Sequence, residues 1–420
     1  MESYLLDWAN LLLRWTHVIT AIAWIGASFY FVFLDNSLTK PTSPDLVEKG
    51  VDGELWAVHG GGFYHPQKYL VAPKSMPEGL HWFYWESYAT WLSGFGLFTV
   101  LYLFNAGTFM VDKQVHDWTP GAAVGTALGF LVAFWLVYDT ICRTFGRKKN
   151  GDAIVGGIIF VFVVFAAWLA CQLYAGRAAF LLVGAMLATS MSANVFFWII
   201  PGQRKVVAQL KAGQPVDPIY GWRAKQRSVH NTYFTLPVLF AMLSNHYGWL
   251  YSGDNNWVVL VLMMLTGALI RQSFVARHKA MVHGKRVPWE YAGFGVAALM
   301  GLIVYLVPKP EIEAPAIASA APAPASAPAN SAAAAGATAQ NVSFDQVKGV
   351  VAQRCSMCHS AAMASKGISF DSPESIKRHA QQMYQQAVVL KLMPLNNATQ
   401  ITPDERNLIK RWYEEGAPTN

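Results

Sequence analysis

The strongest constraint on this chain is its division into apolar blocks long enough to cross a bilayer, which takes about 20 residues each. Eight such blocks lie at roughly 9–34, 82–104, 121–142, 153–172, 177–200, 231–248, 256–275 and 289–307. Hydrophobic residues make up 54% of the 420-residue chain and charged residues only 14%, too apolar a balance for an ordinary soluble protein. Glu2 and Asp7 stand where a cleaved signal peptide would be basic, so the first block is expected to remain as a membrane helix.

The net charge of +7 raises the question of nucleic acid, but its placement excludes that partner. Arg143, Arg147, Lys148 and Lys149 fall between blocks three and four. Arg204, Lys205, Lys211, Arg223, Lys225 and Arg227 fall between five and six, and Arg277, Lys279, Lys285 and Arg286 between seven and eight. The alternate connections, 105–120, 173–176 and 249–255, hold only Lys113. The positive-inside rule puts the basic connections in the cytoplasm. An even number of crossings then leaves both termini periplasmic, as in a multi-pass protein of a bacterial inner membrane.

Beyond Pro308-Lys309-Pro310 an Ala/Pro/Ser tract runs to about Ala339, a composition that makes a tether rather than a core. Three parts are expected: a membrane domain at 1–307, a linker at 308–340 and a periplasmic domain at 341–420. The last part contains Cys355-Ser356-Met357-Cys358-His359. Two thiols at this spacing form thioethers to one haem, and the following histidine becomes an iron ligand. A redox dithiol or half a zinc site is the bland alternative, and no second Cys pair lies nearby to complete zinc. Met393, in Leu392-Met393-Pro394-Leu395-Asn396, is the expected sixth ligand, with Met357, Met363 and Met383 as competitors. Thr402-Pro403-Asp404-Glu405 reads as a helix start. These features resemble a small class I cytochrome c domain with one covalent haem c. Cys142 and Cys171 are expected to be inert at helix ends.

Ionisable residues inside membrane segments are costly and mark functional sites. The topology places His81, Glu86, Asp139, Asn194, His230, Asn231 and Arg271 at one depth near the cytoplasm. Arg271 would hold an anion, Asn194 would supply hydrogen bonds, and His230, His81 or Glu86 would take protons. The structural alternative pairs Asp139 with Arg143 or Arg271. In the periplasmic half, His17 and His246 are candidate ligands for a non-covalent haem b. The loop Asp35–Leu80 contains Trp56-Ala57-Val58-His59-Gly60-Gly61-Gly62-Phe63-Tyr64-His65. Its glycines would admit a close partner, its aromatics stack on a planar ring, and His59 and His65 bond or bind metal; an ordinary hairpin is the alternative.

Arg14-Trp15-Thr16-His17-Val18 with Ala23-Trp24-Ile25-Gly26, the Trp56–Tyr64 segment, and His230-Asn231-Thr232-Tyr233 with Ser244-Asn245-His246 carry a more specific likeness. Joined to a C-terminal cytochrome, they resemble the membrane-bound, cytochrome c-linked urate oxidases of bacterial purine catabolism. The resemblance implies an all-α fold, an eight-helix transmembrane bundle followed by the cytochrome. It implies oxidation of urate, or a similar small anion, to 5-hydroxyisourate without hydrogen peroxide. Electrons would leave through haem c to a downstream cytochrome or terminal oxidase. Two other classes fit the same residues: a cytochrome-linked dehydrogenase or quinol oxidoreductase for another small molecule, and a non-enzymatic electron-relay membrane protein.

Overall fold

The computed structural model describes residues 2–70, 72–74, 76–113, 115–307, 342–361, 368–389 and 391–419. The tether expected at 308–340 and the competing ligand Met363 lie outside them. The chain divides into two compact units, Met1–Met300 with Leu395–Ala398, and Gly301–Pro394 with Thr399–Asn420.

Helices dominate the first unit, and each apolar block is helical. In chain order they are α1 (Glu2–Ser37), α2 (Trp85–Phe98), α3 (Pro120–Phe145), α4 (Gly151–Leu173), α5 (Gly176–Asn194), α6 (Pro218–Leu243), α7 (Asn256–Val282) and α8 (Glu290–Tyr305). A π-helical turn, Thr99–Leu103, extends α2, and another, Val195–Ile199, joins α5 to Ile200–Lys211. Among the described residues, five stretches are long and apolar enough to cross a membrane: Trp8–Ser37, Pro120–Phe145, Gly151–Leu173, Gly176–Lys211 and Asn256–Val282. The stretch Gly176–Lys211, which opens with α5, is the most buried of the five, whereas Trp8–Ser37 in α1 is the least. Small residues let α5 and α6 approach closely. A Cβ on Gly184 would come within 2.6 Å of the Ala241 Cβ, the small-residue packing that serves helices in an apolar solvent.

α6 starts well before the apolar block at 231–248. Asp217 accepts a hydrogen bond from the Ile219 amide at 2.9 Å, and Pro218 occupies the first turn. That cap carries Arg223, Lys225 and Arg227 on the helix, not in a connection as their charge suggests. The loop after α1 forms two small antiparallel pairs: β1 (Gly53–Glu54) with β4 (Gln67–Lys68), and β2 (Ala57–His59) with β3 (Gly62–Tyr64). Gly60 and Gly61 are the turn of the inner hairpin, with φ of +58° and +80° and open space around each. They supply the left-handed backbone that a two-residue turn needs. Trp56 stacks on His65 at 4.1 Å, and His65 Nε2 meets Glu54 at 2.5 Å.

The second unit is held by α9 (Phe344–Arg354) and α10 (Pro403–Glu414). Both begin with a capping box, Ser343 with Gln346 and Thr402 with Glu405. Phe344, Val347, Val351, Ile376, Ile409 and Trp412 form the core between them. Arg354 locks the two helices: its Nε and Nη2 reach Glu405 at 3.0–3.1 Å, and its Nη1 reaches the Thr399 carbonyl at 2.6 Å.

Candidate functional site

Tyr138 and Asp139 on α3, Asn194 on α5, Trp198 in the following π turn, and Arg227, His230 and Asn231 on α6 converge in one buried network. Asp139 is its anchor. Its Oδ1 accepts from Arg227 Nη2 at 2.6 Å and from Trp198 Nε1 at 2.7 Å. Arg143, one helical turn on, approaches Asp139 at 3.7 Å. Arg227 is 3% exposed, donates also to Asn194 Oδ1 at 3.3 Å, and faces the rings of Tyr138 and Trp198 at 5.0 and 5.2 Å. This guanidinium is paired, hydrogen-bonded and stacked, which is how a charge survives burial.

The Asn194 amide donates to Tyr138 Oη at 2.9 Å and to Asn231 Oδ1 at 3.0 Å. Tyr138 Oη also lies 2.9 Å from His230 Nδ1, and its two lone pairs can accept from the Asn194 amide and from a His230 Nδ1–H together. In that tautomer the neutral ring keeps its lone pair on Nε2. Cys142, expected to be inert at a helix end, is buried beside the same nitrogen at 3.8 Å. One turn along α6 from His230, Tyr233 is hydrogen-bonded to Gln272 on α7. His230 and Tyr233 also line a cavity of about 250 Å³ among α4, α5, α6 and α7, walled otherwise by residues such as Ile159, Phe160, Phe234, Met264 and Leu265.

Arg271 adjoins Gln272 but does not join the network, and Asp139 does not pair with it. The geometric reason is that Asp139 spends both oxygens on α3, α6 and the π turn. Arg271 is 9% exposed, its guanidinium lies 3.7 Å from the Phe29 ring on α1, and its Nε and Nη2 have no hydrogen-bond partner. His81 and Glu86 also stand apart. His81 is exposed with its ring edge on Phe83 at 4.6 Å, and Glu86 sits in the first turn of α2. Thus Asn194 and His230 come together, with Asn231 and Asp139. Arg271 stands beyond Tyr233 and Gln272, and His81 and Glu86 lie elsewhere.

His17 packs on α2, where Gly94 leaves room for its ring: a Cβ there would come within 2.8 Å of His17 Cε1. His17 Nδ1 lies 3.0 Å from the Thr90 carbonyl, which can only accept, so Nδ1 carries the proton and Nε2 keeps a lone pair. His246 is exposed in a 3₁₀ turn after α6. Its neighbour Asn245 accepts from Tyr102 at 2.8 Å. Tyr102 lies nine residues beyond Ser93, the other His17 contact, or about 13 Å along the helix.

In the second unit, burial pushes the Cys355 thiol up to about 11. A thiol so poorly ionised is a poor redox nucleophile. No disulfide joins Cys355 and Cys358. His359 Nδ1 donates to the Ile368 carbonyl at 3.2 Å, again leaving Nε2 available. Arg406 Nη1 holds the Met393 carbonyl at 2.8 Å. Two thiols, a histidine fixed in the ligating tautomer and a tethered methionine are the donor set a c-type haem requires.

Arg227, Tyr138 and Trp198 were not among the expected site residues. Arg227 precedes the apolar part of α6, and the signal that puts it on that helix is the Asp217-Pro218 cap. Tyr138 and Trp198 read as apolar membrane residues.

Comparison with protein families matches residues 3–307 to the family described as urate oxidase N-terminal. No curated protein and no solved structure matches the chain.

Proposed function

The chain belongs to the urate oxidase N-terminal family, and from that membership we propose that it oxidises urate to 5-hydroxyisourate and delivers the electrons to its own C-terminal cytochrome c. One urate and one water give 5-hydroxyisourate, two protons and two electrons. The observation that carries the reading is the joining of a family match over 3–307 to a Cys-x-x-Cys-His segment whose histidine is held with Nε2 free. Cys355 and Cys358 would hold haem c covalently, His359 and Met393 would ligate its iron, and the group would supply a one-electron acceptor.

The proposed architecture has eight helices crossing a bacterial inner membrane within residues 1–307, a linker at 308–340 and a periplasmic cytochrome domain at 341–420. Lipid surrounds the helices, and a downstream cytochrome or terminal oxidase takes the electrons. His230 is the proposed proton carrier for the substrate, aligned by Tyr138, and Asn194 fixes that tyrosine. A base held in one orientation by its other nitrogen is the arrangement general base catalysis needs. His81 and Glu86 remain candidates for proton exit at the cytoplasmic face. For a haem b, His17 is the better placed of the two histidines, since its Nε2 is free and Gly94 makes room for the ring.

Mixing the oxidised, haem-loaded protein with urate in the absence of oxygen tests the reading. The c-haem absorption should change to the reduced form with two haems reduced per urate. Oxidised spectra with full haem content would refute it. A second reading, quinol oxidation, draws on the apolar cavity lined by His230 and Tyr233, which suits a lipid-soluble ring. In that case quinol reduces the haem and urate does not.

A further inference from the structure

We propose that Arg271 is the anion-binding residue of the substrate site, taking the acidic edge of a planar purine anion on its Nε–Nη2 fork. The assignment rests on the urate reading and adds to it which residue selects the charged form of the substrate.

Three buried side chains carry polar atoms without a hydrogen-bond partner among the described residues: Trp135, Ser190 and Arg271. Only Arg271 is charged. Among the described residues no ion pair includes it. It sits on α7, within a stretch long and apolar enough to span the membrane, where an unpaired cation is most costly. A protein keeps such a group when something anionic completes it.

The unpartnered atoms specify the shape of that ligand. Nε–H and the adjacent Nη2–H point to the same side of the planar guanidinium, so they offer two parallel donors. The matching partner has two acceptor atoms side by side in one plane. Urate presents such an edge, a deprotonated ring nitrogen next to a carbonyl oxygen. The Phe29 ring centroid lies 3.7 Å from the guanidinium carbon, so an aromatic face already covers part of the group. Next to it, Gln272 is bonded to Tyr233, one turn from His230, so the anion anchor and the proposed proton carrier stand on facing helices. A neutral purine of the same size would leave the charge uncompensated, which gives the site its selectivity.

The test uses the full-length, haem-loaded protein, pre-reduced so that no turnover occurs, in nanodiscs of zwitterionic lipid. Urate binding is measured at equilibrium for the wild type, Arg271→Lys, Arg271→Gln and Phe29→Leu. Loss of two charge-assisted hydrogen bonds should weaken urate binding about a hundredfold in Arg271→Gln. Arg271→Lys, which keeps the charge but not the fork, should lose about tenfold. Phe29→Leu should weaken binding less than either, and it keeps the proposal testable if the glutamine variant does not fold. A structural arginine would lower the melting temperature when replaced, whereas Arg271→Gln should raise it and abolish the stabilisation by urate.

Urate affinity unchanged in Arg271→Gln, or in both Arg271→Lys and Phe29→Leu where the glutamine variant does not fold, overturns the proposal. So does a wild type that binds no urate. Displacement of urate by inorganic phosphate as readily as by the xanthine anion would mark a headgroup or general anion site and overturn the purine assignment. Haem reduction is scored separately. Arg271-dependent binding without reduction retires the oxidase and keeps the anion site. Reduction with an unchanged KM in Arg271→Gln retires the anion site alone.

Discussion

Two arginines buried in the same helical unit are served in opposite ways. Arg227, 3% exposed, has a carboxylate, an amide and two aromatic faces around it. Arg271, 9% exposed, has one aromatic face and two unmet N–H groups. The first has its hydrogen bonds met by the protein itself, and the second is left with two that are not. Burial alone therefore does not tell a structural charge from a functional one. The number of satisfied hydrogen-bonding atoms does, because each atom left unmet in a low-dielectric interior has to be compensated by a ligand or carried as a loss.

The sharpest way to break this contrast is to remove the counter-charge of Arg227. Asp139→Ala leaves a buried guanidinium with no acid, a change expected to cost about 3–5 kcal/mol. It should appear as a large fall in the melting temperature of the protein in detergent. If Asp139→Ala melts like the wild type, Arg227 is not held closed in the manner described. The double variant Asp139→Leu, Arg227→Met sharpens the point. Replacing both charges by apolar groups should recover stability to within about 1 kcal/mol of the wild type. Stability regained with urate-dependent haem reduction intact assigns the pair to the scaffold, and reduction lost at full stability assigns it to the chemistry.

Tyr138→Phe comes next. It takes one hydroxyl from between Asn194 and His230 and leaves both without that partner. The expected loss is about 1–3 kcal/mol. If His230 carries protons from the substrate, the rate of haem reduction should fall further than the affinity for urate. An equal effect on both would make the hydroxyl a packing group.

The separation of the two arginines was only partly legible in the sequence. Apolar segmentation located a helix in each of the eight blocks, because twenty-residue blocks leave few alternatives, and among the described residues five stretches are long and apolar enough to cross a membrane. Thr402-Pro403 and the carboxylates after it located α10, since a cap is a local signal. Arg227 escaped because hydropathy marks where a helix turns apolar and not where its backbone begins; the earlier start lay in Asp217-Pro218. Asn194 and His230 could be sorted to one depth from topology, but their link through Tyr138 depends on how α3, α5 and α6 are rotated about their axes. That rotation is set by packing such as Gly184 against Ala241, which no single segment encodes. Arg271 was legible as a costly residue, yet its lack of an acid is a property of its neighbours in space.

Arg354 in the second unit is the intermediate case, and it gives the smallest effect. Its fork is closed by Glu405, but the pair is partly exposed, with side-chain exposures of 24% and 19%. Burial works against ionisation of Glu405, yet the Arg354 hydrogen bonds and the Thr402 amide hold its carboxyl below the ordinary glutamate range. The folded pKa therefore lies below the unfolded value of about 4.3. The contribution is complete above the unfolded value and is lost as pH falls through the folded one. Glu405→Gln isolates that charge, because glutamine at this position preserves the capping box with Thr402. The variant should be less stable than the wild type at neutral pH by about 1 kcal/mol, the upper range for a partly exposed pair. The difference should vanish in acid, where the wild-type carboxyl is protonated. Thermal unfolding of the two proteins across that range checks it: a gap that persists below the folded pKa would mean that shape, and not charge, closes the Arg354 fork.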